Sequence, residues 1–296
     1  MNIISKIKTK KNHNLFSEKI IESIYFQKNE SLIELIESKT FLDFLIHQRI
    51  PGLLFFLYSQ KKIKLETHLK NEYFKFYQNN KIRNIILIEY IKKLSETFDG
   101  QIFFFKGFPL ILDVYPDIAI RHLYDIDIWT CKKNKLNVSN FLKENNWVEI
   151  SSNRFKYDAY FIDLHTSILN ADRIPARHNI ISELEEIIKK DNLFHVKNQE
   201  IKILSIHPQY HIIILMLHFL KHNFAHYTSL LDICYLLKKY ESFFLNEDYI
   251  IKIRELGFGE LFYFIIKNFL KETLIYNYIH EKKNCFYKMY FQKKPN

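Results

Sequence analysis

Between Gln101 and Ile168 the apolar residues stop recurring at helical spacing and begin to alternate, which places a sheet in the middle of the chain. Ile102-Phe103-Phe104-Phe105 is a short apolar run ahead of Lys106-Gly107 and reads as a buried strand entering a turn. Tyr124-Asp125-Ile126-Asp127-Ile128-Trp129-Thr130 alternates over most of its length, the pattern of a half-buried strand. A second alternating stretch, Ile162-Asp163-Leu164-His165, lies within Tyr157 to Ile168, while Pro109 to Val114 and Leu136 to Asn146 read as helices. The middle region is therefore expected to run strand, helix, strand, helix, strand.

The flanks read differently. Only 5 Gly and 6 Pro interrupt 296 residues, which favours long helices over a many-turned all-β fold. Residues 15–95 read as helical, with Pro51-Gly52 separating two apolar segments and Leu69 to Leu94 carrying Ile82, Ile85, Ile86 and Tyr90 at helical spacing. Asp99-Gly100 closes that region with a turn. After Asp172 the helical character returns: Ser182 to Lys190, opened by Ser182 with Glu185 as a capping box, then Tyr210 to Leu220 and Tyr227 to Tyr240. The lysine-rich end, Lys282 to Asn296, is expected to fray.

The formal net charge is +10, which attracts polyanions such as nucleoside triphosphates, nucleic acid and anionic membrane without choosing among them. The lysines are dispersed, as on a solvated surface. Cys131, Cys234 and Cys285 form no CxxC pair and no disulfide framework, which suits a reducing cytoplasm. The N-terminus lacks the apolar stretch of a signal peptide, and the most apolar stretch, Ile212 to Leu220, is too short to span a bilayer. The expectation is a cytoplasmic protein with no membrane partner.

Chemistry concentrates in the alternating stretches. Side chains on a strand alternate between faces, so Asp125 and Asp127 point one way and Ile126 and Ile128 the other. Two adjacent carboxylates repel unless a cation sits between them, and Mg²⁺ is typically held by one or two carboxylates plus substrate phosphates. Asp163 and His165 share a face by the same rule. An Asp-x-Asp alone is weak evidence. It gains weight from lying inside a strand, where Asp is disfavoured, from a third acid on the next strand, and from a glycine turn at Lys106-Gly107, where backbone amides can cradle phosphate.

Lys106-Gly107, Tyr115-Pro116, Arg121, Asp125-Ile126-Asp127 and Asp163-Leu164-His165 together resemble the signature of an uncharacterised bacterial nucleotidyltransferase family in the DNA polymerase beta-like superfamily. The resemblance extends to the helical segments at His47 to Leu57 and around Asp232, and so covers most of the chain. Two departures stand out. Lys106-Gly107-Phe108 replaces the usual Gly-Ser turn, and the insert to Asp125 is longer, so the phosphate grip falls to backbone amides, Lys106 or Arg121. The resemblance implies an α+β fold: a small mixed-sheet nucleotidyltransferase core at 99–172, between an N-terminal helical region at 1–98 and a C-terminal one at 173–296. It also implies two Mg²⁺ ions on Asp125, Asp127 and Asp163, and a nucleoside triphosphate, ATP foremost, bound by Lys106, Gly107 and Arg121. A nucleoside monophosphate would pass to a hydroxyl or similar acceptor on a small molecule, peptide or protein, with release of pyrophosphate.

Alternatives stay open at several points. His165 either orients or deprotonates the acceptor, or bonds neighbouring backbone. Arg121 either clamps phosphate or pairs with Asp125 or Asp127. His207, His211, His218, His222 and His226 read as core or surface histidines or as lining of the nucleotide cleft, ahead of a zinc site, since no His-Glu-x-x-His appears. Asp232 reads as part of a local hydrogen-bond network. Two other functions compete: modification of RNA, for instance a tRNA end, which is less favoured because no RNA-binding module is recognisable, and a non-catalytic nucleotide-binding or antitoxin-like partner.

Overall fold

The apolar run and the two alternating stretches are strands, and four further strands join them. In chain order they are β1 (Ile102–Phe105), β2 (Asp125–Thr130), β3 (Val148–Ser151), β4 (Arg154–Tyr157), β5 (Tyr160–His165), β6 (Leu193–Lys197) and β7 (Lys202–Ile206). They form one mixed sheet in the order β3-β4-β5-β2-β1-β7-β6. This computed structural model describes residues 15–16, 18–24, 30–168, 175–191, 193–197 and 201–270. The expectation for Lys282 to Asn296 lies outside the described residues, as does Cys285.

Helices are α1 (Glu30–Ile36), α2 (Lys39–His47), α3 (Gly52–Ser59), α4 (Thr67–Thr97), α5 (Gly107–Asp113), α6 (Lys132–Glu144), α7 (Pro175–Asp191), α8 (Pro208–Lys221), α9 (Tyr227–Lys239), α10 (Glu241–Phe244), α11 (Glu247–Glu255) and α12 (Gly259–Phe269). The result is the α+β class expected. The chain divides into two compact units, one of Arg49–Phe56 and Lys70–Ile214, the other of Met1–Gln48, Leu57–Leu69 and Leu215–Asn296.

The first unit holds the whole sheet. β2 pairs with β1 antiparallel and with β5 parallel, so the two acid-bearing strands are neighbours. Ile126, Ile128, Ile162 and Leu164 are buried on the face opposite the acids, which anchors both strands in the core. Beyond residue 172, where helix alone was expected, β6 and β7 pair antiparallel and β7 joins β1. A further correction concerns Ser182. α7 begins at Pro175, a residue suited to a first helical position, so Ser182 lies inside the helix and does not open it. Glu185 instead accepts hydrogen bonds from Ser167 Oγ (2.7 Å) and Ile168 N (2.5 Å), tying α7 to the end of β5.

α4 is longer than expected, and its periodic Ile82 and Ile85 are exposed. The inward stripe is instead partly polar. Tyr77, Asn80, Arg83 and Asn84 recur at helical spacing and reach the loop that leads into β2. Tyr77 donates to Asp117 (2.7 Å), Asn80 to Ala119 O (3.1 Å), Arg83 to Leu123 O (2.8 Å), and Asn84 to Ile118 O (2.6 Å) and Arg121 O (2.8 Å). Loop carbonyls buried without strand partners need such donors. Asn84→Leu is expected to destabilise the fold by about 2 kcal/mol, because two part-buried carbonyls lose the donor that the buried Asn84 supplies. A urea melt unchanged from wild type would show that this loop does not depend on α4.

In the second unit Phe41 and Phe44 of α2 are buried with Phe244 and Phe262, and Phe44 meets Tyr227 with ring centroids 5.6 Å apart. Gln48 Oε1 accepts from Tyr227 N at 2.9 Å. Asp232 is buried within α9. The rings of His218, His222 and His226 gather at the end of α8, with His222 stacked on His226 at 3.9 Å.

Candidate active site

The site begins at the turn between β1 and α5. Lys106 adopts φ 57° and ψ −130°, a backbone conformation that side-chain-bearing residues rarely take and that costs on the order of 1–3 kcal/mol. The fully buried ring of His211, on α8, hydrogen-bonds the Lys106 backbone, and burial holds this imidazole neutral, its pKa lowered to about 3. Gly107 is needed for a different reason. A Cβ there would lie 2.2 Å from Arg121 Nη1, so the missing side chain makes room for the guanidinium. The turn therefore presents Lys106 on one side and receives Arg121 on the other.

The acids stand beside it. Asp127 and Asp163 are directly opposite in the parallel β2–β5 register, and Asp125, one pleat back on β2, is opposite Phe161. Lys106 Nζ lies 2.5 Å from Asp127 Oδ1, and His165 Nε2 lies 2.8 Å from the same oxygen. An ionised carboxylate only accepts, so Nε2 carries the hydrogen and donates it to Asp127. This contact orients the Asp127 carboxylate, and involves neither the acceptor nor the neighbouring backbone that the sequence reading weighed; this nitrogen cannot act as a base while it donates.

Electrostatics separate the three carboxyls. Burial alone would raise the pKa of Asp127, but the Lys106 charge and the hydrogen bonds from His165 and Lys106 outweigh it and hold this carboxyl well below the usual range. Asp125 and Asp163 shift upward instead, through burial first and then the neighbouring Asp127 charge, against the pull of Lys106 and Arg154. Asp163 Oδ1 is buried and has no hydrogen-bond partner.

Arg154 is the member that sequence reasoning missed. It lies on β4 opposite Asp163, with Nε 3.5 Å from Asp163 Oδ1 and Nη2 3.9 Å from Asp125 Oδ2. Its signal was present in Arg154-Phe155-Lys156-Tyr157, a short alternation that puts Arg154 and Lys156 on one face. Lys106 and Arg154 are the two cations whose charges pull the Asp125 and Asp163 carboxyls down against burial.

Side-chain oxygens of Asp127 and Asp163 and a ring nitrogen of His165 lie within 4.8 Å of one another, and among the described residues no other His, Cys, Asp or Glu trio converges in this way. This set could hold a metal ion. It contains His165 where the sequence reading placed Asp125. Of the clustered histidines, His211 on α8 bonds the Lys106 turn, while His218 on α8 and His222 and His226 after it belong to no such group among the described residues.

The profile of a protein family described as "Uncharacterised nucleotidyltransferase" matches residues 34–269. The chain belongs to that family. Among curated proteins and solved structures, nothing matches it. A nucleotidyltransferase takes a nucleoside triphosphate as substrate, and the matched span of this one includes the Lys106 turn, all three acids, Arg154 and His211. Among the described residues of this nucleotidyltransferase, no single helix is long and apolar enough to cross a membrane.

Proposed function

We propose that this nucleotidyltransferase works by the metal-dependent plan of the DNA polymerase beta-like enzymes. In this reading it moves a nucleoside monophosphate from a triphosphate, ATP being the first candidate, to a hydroxyl or similar acceptor on a small molecule, peptide or protein. The observation that carries the reading is the pairing of Asp127 with Asp163 across two parallel strands, with Asp163 Oδ1 buried and lacking a donor. Buried carboxylate oxygens are seldom left without a partner. Carboxylate oxygens converging from two strands suit a hard divalent cation such as Mg²⁺, so the residues fit the group that the family implies.

Asp127 and Asp163 would hold the cation, with Asp125 beside them for a second. Bound Mg²⁺ stabilises charge on the attacking and leaving oxygens. The remaining work falls to the chain. Lys106, released from Asp127, and Arg121, seated on Gly107, bind the phosphates and offset charge that builds there. His165 fixes the Asp127 carboxylate. The acceptor oxygen attacks the α-phosphorus in line, the bond to the pyrophosphate oxygen breaks, and the hydroxyl proton is lost to solvent. Incubation of the protein with each labelled triphosphate, Mg²⁺ and cell extract should yield labelled product. Transfer undiminished in a protein carrying both Asp125→Asn and Asp127→Asn would sink this assignment.

A further inference from the structure

Arg154 has the position of a cation but not the geometry of a finished ion pair. An arginine that closes a structural salt bridge usually sets two N–H groups at about 2.8 Å from one carboxylate. Here the guanidinium is stretched between two carboxylates at 3.5 and 3.9 Å, and neither contact is a hydrogen bond. Asp163 Oδ1 stays without a hydrogen-bond partner although the Arg154 guanidinium stands beside it. The flat face of the guanidinium is meanwhile held from below, 4.9 Å over Phe161 and 5.8 Å from Tyr124. Tyr124 stacks on Phe161 at 5.0 Å and carries Arg49 at 4.6 Å, so the ring pair is itself braced.

A guanidinium resting on a ring keeps its N–H edge available for whichever anion lies beside it. We propose that Arg154 is an exchangeable cation: it neutralises Asp125 and Asp163 in the ion-free protein, yields them to the divalent cation, and then binds the polyphosphate of the incoming triphosphate. The physical reason is a mismatch in size. Mg²⁺ approaches carboxylate oxygens to about 2.1 Å, whereas the delocalised guanidinium stays far from both. The hard ion therefore displaces Arg154 from the acids, and the phosphates supply the anion that Arg154 has lost. Phe161 keeps the side chain over the site during the exchange.

The second half of this inference rests on the proposed function, while the first concerns only a cation and the chain. The two are tested separately. Mn²⁺ alone, titrated into the full chain and followed by the electron-spin resonance of the free ion, should bind about five- to tenfold more tightly to Arg154→Met than to wild type, since the competing charge is gone. Arg154→Lys, which keeps the charge, should stay near wild type. In saturating Mn²⁺, inorganic tripolyphosphate, a probe that needs no knowledge of the base, should bind Arg154→Met roughly tenfold more weakly by calorimetry. These opposed signs are what a merely structural arginine would not give, since its loss would weaken both. Equal or weaker Mn²⁺ binding in Arg154→Met overturns the exchange. Tighter Mn²⁺ binding with unchanged tripolyphosphate affinity overturns the transfer to phosphate. Failure of both proteins to bind Mn²⁺ overturns the exchange and the metal-dependent function together. Arg154 is about one-third exposed, and thermal melts with and without Mn²⁺ check that the variant folds.

Discussion

Asp127→Asn is expected to lower nucleotide transfer by on the order of a thousandfold and to weaken the fold at the same time. The first effect follows from its place. Asp127 is the one acid that meets Lys106, His165 and, across the register, Asp163. In the proposed metal-dependent reading Asp127 helps to hold the cation that stabilises charge on the reacting oxygens, and a thousandfold loss corresponds to about 4 kcal/mol. The second effect follows from burial. Asp127 is 5% exposed, and its removal leaves the Lys106 ammonium without its counter-charge in a part-buried turn. Breaking one partner of such a pair costs about 3 kcal/mol.

That loss of stability depends on pH. The carboxyl of Asp127 is held below its unfolded value of about 3.9. Its contribution is therefore complete above that value and is lost as pH falls through the folded pKa. Wild type and Asp127→Asn should differ most in urea melts at neutral pH and converge in strong acid. Asp125→Asn should lose activity without that loss of stability, because burial and the Asp127 charge already raise the Asp125 carboxyl, so that its ionised form opposes folding at neutral pH. Full transfer by Asp127→Asn would remove this residue from the mechanism, whatever the melt shows.

The strands that carry the site were legible because their pattern is local. Ile102–Phe105 came out with the bounds expected, and β2 begins one residue later than the alternation from Tyr124 suggested. The shared face of Asp125 and Asp127 is a matter of strand period alone. That Asp163 stands opposite Asp127 is register, which depends on which strands pair, and no residue of β2 announces β5 as its neighbour. β3 and β4 were not legible in the same way. Each is four residues long, too short for an alternation such as Val148 and Ile150 to stand out from a loop, and β3 is exposed along its whole length. β6 and β7 fell in a region whose flanking helices dominate the pattern.

The site was read through its acids and glycine turn, and its least legible members are those whose partners are distant in sequence. Arg154 acts through strand pairing, and His211 through a hydrogen bond to a turn about a hundred residues earlier. The buried polar stripe of α4 was missed because Asn80 and Asn84 belong to no apolar period. Their reason for being inside is the carbonyls of residues 118–121. Helix propensity and periodicity describe what a segment is, whereas these residues are fixed by what another segment lacks.

Asp163→Asn should abolish transfer about as completely as Asp127→Asn, yet it should make the fold more stable. The two acids stand opposite each other and would serve the same cation in the proposed reading, but their surroundings differ. Asp127 is neutralised by Lys106 and His165, whereas Asp163 has only the distant Arg154 and an oxygen with no donor. Burial and the Asp127 charge raise its carboxyl above the unfolded value. A raised carboxyl pKa means that stability is full below the unfolded value of about 3.9 and declines as pH rises through the folded pKa. At neutral pH the ionised Asp163 therefore works against folding, and the neutral amide introduced by Asp163→Asn relieves that cost. A gain of about 1 kcal/mol is expected, the range found when a strained functional site is relaxed. The gain should be present at pH 7 and vanish below about pH 4, where the wild-type carboxyl is protonated in both the folded and the unfolded chain. Urea melts of wild type and variant at these two pH values decide the matter. Lower stability of the Asp163→Asn variant at pH 7 would mean that Arg154 already satisfies Asp163, and the acid would then be a structural partner rather than a ligand held ready for a cation.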